Sequence, residues 1–300
     1  METGSDRNSA GHLPVMTGEV VEFLQPRPGQ VILDCTLGEG GHALRLLPLL
    51  APGGFLLGLD RDDSAPAVAE QKLAGYGELL RIERANYTEL EEALGRAGIE
   101  SVDGVLFDLG VNSSQLDNAD RGFSFQNDGP LDMRMDTAAG QTAADLVNRS
   151  NRKDLEWLIR EYGEERFAGR ISRRIVEERG KNPIRTTGRL AKIISRAVPG
   201  RGKIHPATRT FQALRLEVNQ ELDCLNRALP LAREILRPGG RICLIAFHSL
   251  EDRIVKHTFR RWAGEEKVKI LTRKPVRPRE EEVRTNPRSR SARLRAAEKI

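Results

Sequence analysis

Val31-Ile32-Leu33-Asp34-Cys35-Thr36-Leu37-Gly38-Glu39-Gly40-Gly41-His42-Ala43 decides how this chain is read. Apolar and β-branched residues lead into an acid, a glycine-rich turn follows, and an apolar run then continues through Leu44, Leu46 and Leu47. Strand, glycine turn and helix make the first half of a nucleotide-binding βαβ unit, and Gly38, Gly40 and Ala43 fit the spacing G-x-G-x-x-A. Glycine permits a tight turn and a close backbone approach to a ligand because it has no Cβ. The next apolar run, Phe55 to Leu59, ends in Asp60, about 20 residues beyond the turn, where an acid can accept hydrogen bonds from ribose hydroxyls. Asp34 stands directly before the glycines. A carboxylate there repels a dinucleotide pyrophosphate and favours a cation. S-adenosylmethionine, with a ribose, an ammonium, a sulfonium and no phosphate, therefore suits the turn better than NAD.

Outward from this stretch the pattern repeats. Strands are expected at 31–35, 54–60, 80–85 and 102–108, with helices between them, which implies a parallel, doubly wound Rossmann-like sheet. Ligands in such sheets sit beyond the carboxyl ends of the strands, and Asp34, Asp60, Tyr87 and Asp108 all fall there. The alternation then stops. A polar loop covers 109–136, and apolar spacing of three and four residues marks helices through 142–198. This reads as a helical insertion at 115–207 within a sheet domain formed by 12–114 and 208–274. A long helix from Phe211 through Leu214, Val218, Leu222 and Leu225 to Leu229 is expected to return the chain to the sheet. Strands at 241–247 and 267–272 follow. Residues 1–11 are expected to be disordered and 275–300 to form an extended basic tail.

Composition bounds the function. The 300 residues are 39% hydrophobic and 30% charged, with a net charge of +5 and a pI near 9.3, a balance that favours an acidic partner. Residues 284–300 hold six basic residues against one acid, a common device for gripping phosphates. The scattered Cys35, Cys224 and Cys243 form no C-x-x-C pair and read as free thiols of a reducing, cytoplasmic compartment. Met1–Gly11 has no apolar core for a secretory leader. The apolar stretch near Leu44–Leu59 is broken by Pro48, Pro52, Gly53 and Gly54, so no membrane span is expected.

Asp108 closes the fourth strand, where methyl donor and acceptor meet in this fold. The N4 lone pair of cytosine is delocalised into the ring, and a carboxylate accepting its N–H returns electron density to nitrogen. Asp108 is the candidate for that task or for holding the cofactor, against the plain alternative of capping a turn with Asn112 and Ser113. In the long loop Phe125 stacks on an unpaired base or packs in a core. Asp128, Asp132 and Asp136 recur every four residues, but the intervening Gly129-Pro130 argues against one helical face, and no metal is expected. His205, beside Lys203 and Arg209, either touches phosphate or bonds locally. His248 reads as a site-lining or structural histidine.

Several of these stretches together resemble one family. They are His12-Leu-Pro-Val, Asp34 to His42, Asp60-Arg-Asp, Asp108-Leu-Gly-Val, Arg121 to Phe125, Gly129 to Asp136, His205 to Leu214, Phe247 to Asp252 and Asn286-Pro-Arg-Ser-Arg290. In colinear order over residues 12–298 the chain is similar to the bacterial 16S ribosomal RNA cytosine-N4 methyltransferases, the MraW family. The resemblance implies a cytoplasmic, S-adenosylmethionine-dependent enzyme. Its substrate would be a decoding-centre cytosine of 16S rRNA within the small ribosomal subunit, with no membrane partner. Carried over by position, the cofactor contacts are Gly40, Gly41, His42, Asp60, Tyr87, Asp108 and Gln115. Phe125, Arg134, His205, Arg209, Arg288 and Arg290 are the candidates for RNA contact. Two positions depart from the family pattern: Cys35 stands for a common glycine, and Asn112-Ser113-Ser114 for a Ser-Ser-Pro run.

Overall fold

The computed structural model describes residues 14–62, 64–138, 140–200 and 204–300. His12, Lys203 and the expected disordered stretch 1–11 lie outside them. The described residues form two compact units, one drawn from those up to 110 and from 224 to 300, the other from those between 111 and 223.

The first unit is built on a seven-stranded sheet. Its strands are β1 (Val31–Asp34), β2 (Phe55–Asp60), β3 (Leu80–Arg84), β4 (Val102–Asp108), β5 (Leu236–Ala246), β6 (Val268–Ile270) and β7 (Arg293–Lys299), in the order β3-β2-β1-β4-β5-β7-β6. The first five are parallel, and β7 pairs antiparallel with both β5 and β6. Helices α1 (Thr17–Leu24), α2 (Ala43–Leu50), α3 (Ala65–Leu73) and α4 (Leu90–Ala97) belong to this unit. Side chains alternate across the pleat. Leu33, Leu57, Val105, Phe107 and Leu244 pack with Leu90 and Leu94 of α4 on one face. Ile32, Leu56, Leu106, Cys243 and Ile245 pack with Val20, Leu46, Leu47 and Leu73 of the other three helices on the opposite face. Burial on both faces explains why the strands read as continuous apolar runs. Strand order reverses between β1 and β4, which is where an open parallel sheet leaves a crevice for ligand.

The second unit holds α5 (Ser113–Asp117), α6 (Ala143–Arg149), α7 (Arg152–Glu161), α8 (Ala168–Lys181), α9 (Thr187–Ala197) and α10 (Thr208–Val218). Its core draws on all of the last five, and the loop residues Phe123, Leu131, Met133 and Met135 are buried among them. Asn219 fixes that loop: its side-chain amide donates to the Met133 carbonyl at 2.7 Å and accepts the Met135 N–H at 2.8 Å.

Two expectations need correction. The helix expected from Phe211 to Leu229 is two helices, α10 and α11 (Glu221–Glu234), broken at Asn219-Gln220, where Gln220 has φ of 49°. Phe211 and Leu214 pack in the second unit's core and Leu225 and Leu229 in the first unit's, so α10 does not cover the sheet. Nor is 275–300 an extended tail. After α12 (Ser249–Gly264) and β6 it forms α13 (Glu280–Thr285), a 3-10 turn over Pro287–Ser291, and β7. Leu294, Ala296 and Ala297 are buried in the sheet, and Arg295 is buried beside Asp252, its Nε donating at 2.6 Å. An acid on α12 neutralises the charge that made this segment look solvated.

Candidate active site

The glycine turn after β1 rises from the sheet and enters α2. Gly40 has φ of +79°, and a Cβ there would lie 2.7 Å from Leu73 of α3. A Cβ on Gly41 would press on the Pro14 ring at 3.0 Å. Both glycines are thus fixed by neighbours as well as by the turn, and the peptide between them stays bare.

Around this turn the ends of three adjacent strands bring their acids together. Asp34 ends β1, is 1% exposed, and accepts the Thr36 N–H on Oδ1 at 3.1 Å. Asp60 ends β2 and accepts N–H groups from Gly38 and Asp62, each at 2.8 Å. Asp108 ends β4; its backbone N–H donates to Thr36 Oγ1 at 2.6 Å, and its Oδ2 lies 3.3 Å from His42 Nε2. Among the described residues Asp34 Oδ2, His42 Nδ1 and Asp108 Oδ1 are buried without a hydrogen-bond partner. Buried polar atoms are paired in most folds, so three unpaired ones in a single cluster point to a polar ligand.

The electrostatics agree with a cationic one. Burial raises the Asp34 carboxyl to about 7, helped by the charges of Asp108 and Asp60 and opposed by His42 and the Thr36 N–H. Burial also raises Asp60, against the N–H bonds of Asp62 and Gly38. His42 feels burial as a lowering influence, but its bond to Asp108 and the charges of Asp108, Asp34 and Glu282 outweigh it, and the imidazole titrates above its ordinary value. A bound cation would complement this excess of carboxylate.

The other expected cofactor residues are placed as follows. Tyr87 opens a 3-10 turn just past β3, 8% exposed, edge-on to Phe107 at 5.6 Å between ring centroids. Gln115 lies in the second unit, where it closes a capping box on α5: its N–H donates to Asn112 Oδ1 at 2.8 Å and its Oε1 accepts the Asn112 N–H at 3.1 Å. The departure Asn112-Ser113-Ser114 thereby supplies a helix cap.

Of the residues expected to meet RNA, Phe125 and His205 come together, their rings stacked at 4.5 Å, with Phe211 edge-on to Phe125 at 4.9 Å. His205 also accepts the Ala207 N–H at 3.2 Å. Arg134 pairs with Asp132 at 2.8 Å, and Arg209 donates to the Glu164 carbonyl at 2.9 Å. Arg288 and Arg290 are exposed on the 3-10 turn of the first unit. His248 caps α12, accepting the Glu251 N–H at 3.3 Å. Asp128 accepts the Gly188 N–H in the first turn of α9 at 2.7 Å, and Asp136 accepts that of Ala138 within its own loop at 3.0 Å. Among the described residues no group of three or more His, Cys, Asp or Glu is placed to hold a metal ion, and no helix is long and apolar enough to cross a membrane.

Two neighbours of the site escape the sequence. Thr36 ties β1 to β4 through its hydroxyl. Glu282 of α13 accepts the Met16 N–H at 2.7 Å and lends its charge to His42. The turn Asp34-Cys-Thr-Leu-Gly hinted at the first; nothing in the acidic run Glu280–Glu282 signalled the second.

A family model described as the MraW methylase family matches residues 9–300. A ribosomal RNA small subunit methyltransferase H of Geotalea uraniireducens is 52% identical across 96% of this chain and 98% of its own. The protein of the same name from Geobacter sulfurreducens is 51% identical across 96% and 99%. A solved rRNA methylase of Streptococcus thermophilus aligns over 95% of this chain and 93% of its own, at 11% identity and a TM-score of 0.45.

Proposed function

The chain belongs to the MraW methylase family and is a methyltransferase, and we propose that it methylates N4 of a decoding-centre cytosine in the 16S rRNA of the small ribosomal subunit, in the cytoplasm. S-adenosylmethionine, when bound, supplies the methyl group as an electrophilic sulfonium carbon. The observation that carries this reading is the cluster of unpartnered Asp34, His42 and Asp108 atoms beside the bare Gly40-Gly41 peptide. The names of the relatives point to small-subunit ribosomal RNA as substrate.

Each residue then has a task. Asp60 retains lone pairs for ribose hydroxyls while its two backbone donors hold it in place. Asp34 attracts the positive charge of the donor. Tyr87 offers an aromatic wall for adenine, and Gln115 a polar contact. Asp108 accepts the N4 N–H of the cytosine and restores electron density to nitrogen, and His42 keeps the carboxylate turned toward the reacting atoms. General-base help of this kind contributes on the order of 10²–10⁴ in rate, and alignment of the two reactants supplies much of the rest. The target base leaves its stack to reach the site. The helical unit, with Phe125, His205, Arg134 and Arg209, receives the RNA, and Arg288 and Arg290 add salt-sensitive affinity.

The test is incubation of the purified chain with S-adenosylmethionine and small subunits, naked 16S rRNA or DNA, followed by mass spectrometry of the nucleosides. N4-methylcytidine in 16S rRNA is expected, with Asp108→Asn at least about a hundredfold slower. Binding of subunits without any new methyl group would leave a non-catalytic assembly factor. Methyl transfer to DNA alone would leave a DNA amine methyltransferase.

A further inference from the structure

The outer surface of α7 and α8 carries arginines that the site above does not use. Arg152, Glu156 and Arg160 stand one turn apart on α7, and Glu156 takes ion pairs from both arginines, at 3.4 and 2.6 Å. A Cβ on Gly169 would lie 3.1 Å from the Glu156 carboxylate, so the first turn of α8 lies directly against this row. Arg166 stands two residues before α8, and Arg170 and Arg173 lie in its first two turns. Arg173 reaches Glu177 at 3.7 Å. Arg166 and Arg170 are exposed and, among the described residues, form no ion pair.

These two guanidiniums are nevertheless held. The Arg166 guanidinium lies 4.6 Å from the centroid of the Phe167 ring, and that of Arg170 lies 5.8 Å from it. Glu165, the nearest acid in sequence, is buried and turned inward, its Oε1 accepting the Phe167 N–H at 2.8 Å; Glu164 is exposed beside it. Stacking on an aromatic face restrains a guanidinium while leaving its N–H edge to solvent, which is the geometry that recognises phosphate. An ordinary solvated helix surface places its arginines opposite i±4 acids, as Arg152, Arg160 and Arg173 are placed here.

We propose that Arg166 and Arg170, set on Phe167, form a clamp for the phosphate backbone of the RNA substrate. This rests on the reading that the substrate is RNA. The Arg152–Glu156–Arg160 row, in which two arginines share one carboxylate, borders the clamp. The sugar-phosphate chain is the chemistry that fits: the contacts are charge-directed and carry no donor–acceptor pattern for a base edge.

The experiment uses the full chain and a labelled 16S rRNA fragment, with affinity measured across a series of salt concentrations. Arg166→Gln with Arg170→Gln is expected to weaken binding on the order of tenfold and to make the slope of log affinity against log salt shallower by about 1.5. Calorimetric binding of S-adenosylmethionine and the melting temperature should stay as in the parent. The pair Arg166→Lys and Arg170→Lys should restore the slope. An unchanged affinity and slope in the glutamine pair overturns the clamp. So does a lysine pair with a slope as shallow as that of the glutamine pair, because charge would then not be the cause. If vesicles rich in phosphatidylglycerol bind the parent and lose the glutamine pair while RNA affinity holds, the patch faces lipid and the proposal fails. A parent chain that does not bind the rRNA fragment at all brings down the RNA reading beneath it.

Discussion

Asp34 is set against the stability of the fold that holds it. Its carboxyl titrates at about 7 in the folded chain, against an ordinary value of 3.8, chiefly because it is buried. Below pH 3.8 the group is protonated folded or unfolded and has no effect. Between 3.8 and 7 the unfolded chain has already lost the proton that the folded one keeps, so stability falls as pH rises through that window. A three-unit rise corresponds to roughly 4 kcal/mol lost by pH 8. Asp34→Asn, which can still accept the Thr36 N–H, should therefore melt several degrees higher than the parent at pH 8 and close to it at pH 4.5. The same change should abolish the rise in S-adenosylmethionine affinity expected between pH 6 and 8 as the carboxylate forms. Paired melting and calorimetric titrations check both halves; a variant no more stable at pH 8 would show that the buried charge costs the fold nothing. Residues at this scale were legible where chemistry and position coincide in the chain: Asp34, Asp60 and Asp108 each end an apolar run. Glu282 was not, because its approach to His42 depends on a packing more than two hundred residues away in sequence.

At the scale of elements, the two misread segments failed for different physical reasons. Arg293-Leu-Arg-Ala-Ala-Glu-Lys alternates weakly and carries charges at both ends, so its pattern resembles a solvated tail. It becomes β7 because Asp252 on α12 accepts from Arg295 at 2.6 Å and from Arg293 at 3.4 Å. Asp252→Ala strands a buried guanidinium and should cost roughly 3–5 kcal/mol in chemical denaturation. Adding Arg295→Met should recover most of that loss, and a double variant as unstable as the single one would refute the pairing argument. The break between α10 and α11 has no proline or glycine to announce it; the apolar spacing runs straight through Asn219-Gln220. Asn219 is used elsewhere, pinning the loop at Met133 and Met135. Asn219→Ala leaves a buried carbonyl and N–H unpaired, a cost of roughly 2–4 kcal/mol. Faster hydrogen exchange over 121–136 is the expected sign, and unchanged protection there would separate Asn219 from the loop. The strands β1, β2 and β4 were readable because burial on both faces leaves little room for polar interruption.

At the scale of the whole molecule the question is how much of the basic charge is free to meet an anionic partner. The net charge is +5, and residues 284–300 carry six of its basic side chains. Counting them as one cationic tail overstates their reach. Arg293 and Arg295 are committed to Asp252, and Lys299 donates to the Glu234 and Leu236 carbonyls at 2.9 and 2.6 Å. Arg284 faces Glu280 at 3.9 Å. Arg288 and Arg290 are exposed on the 3-10 turn, Arg288 with an interaction of its own. Each phosphate neutralised contributes about 0.7–0.9 to the slope of log affinity against log salt, so the exposed Arg284, Arg288 and Arg290 supply a slope of about 2 to 3 rather than the 4 to 5 that six charges would give. Arg288→Ala with Arg290→Ala should therefore make the slope for 16S rRNA shallower by about 1.5–2 without moving the melting temperature. Arg295→Ala should instead lower the melting temperature and leave the slope of the surviving folded protein near the parent's. Salt-series titrations beside melting curves separate the two; a slope that fell equally for both variants would mean that the sheet-bound arginines also reach the RNA, and the division of charge argued from the fold would be wrong.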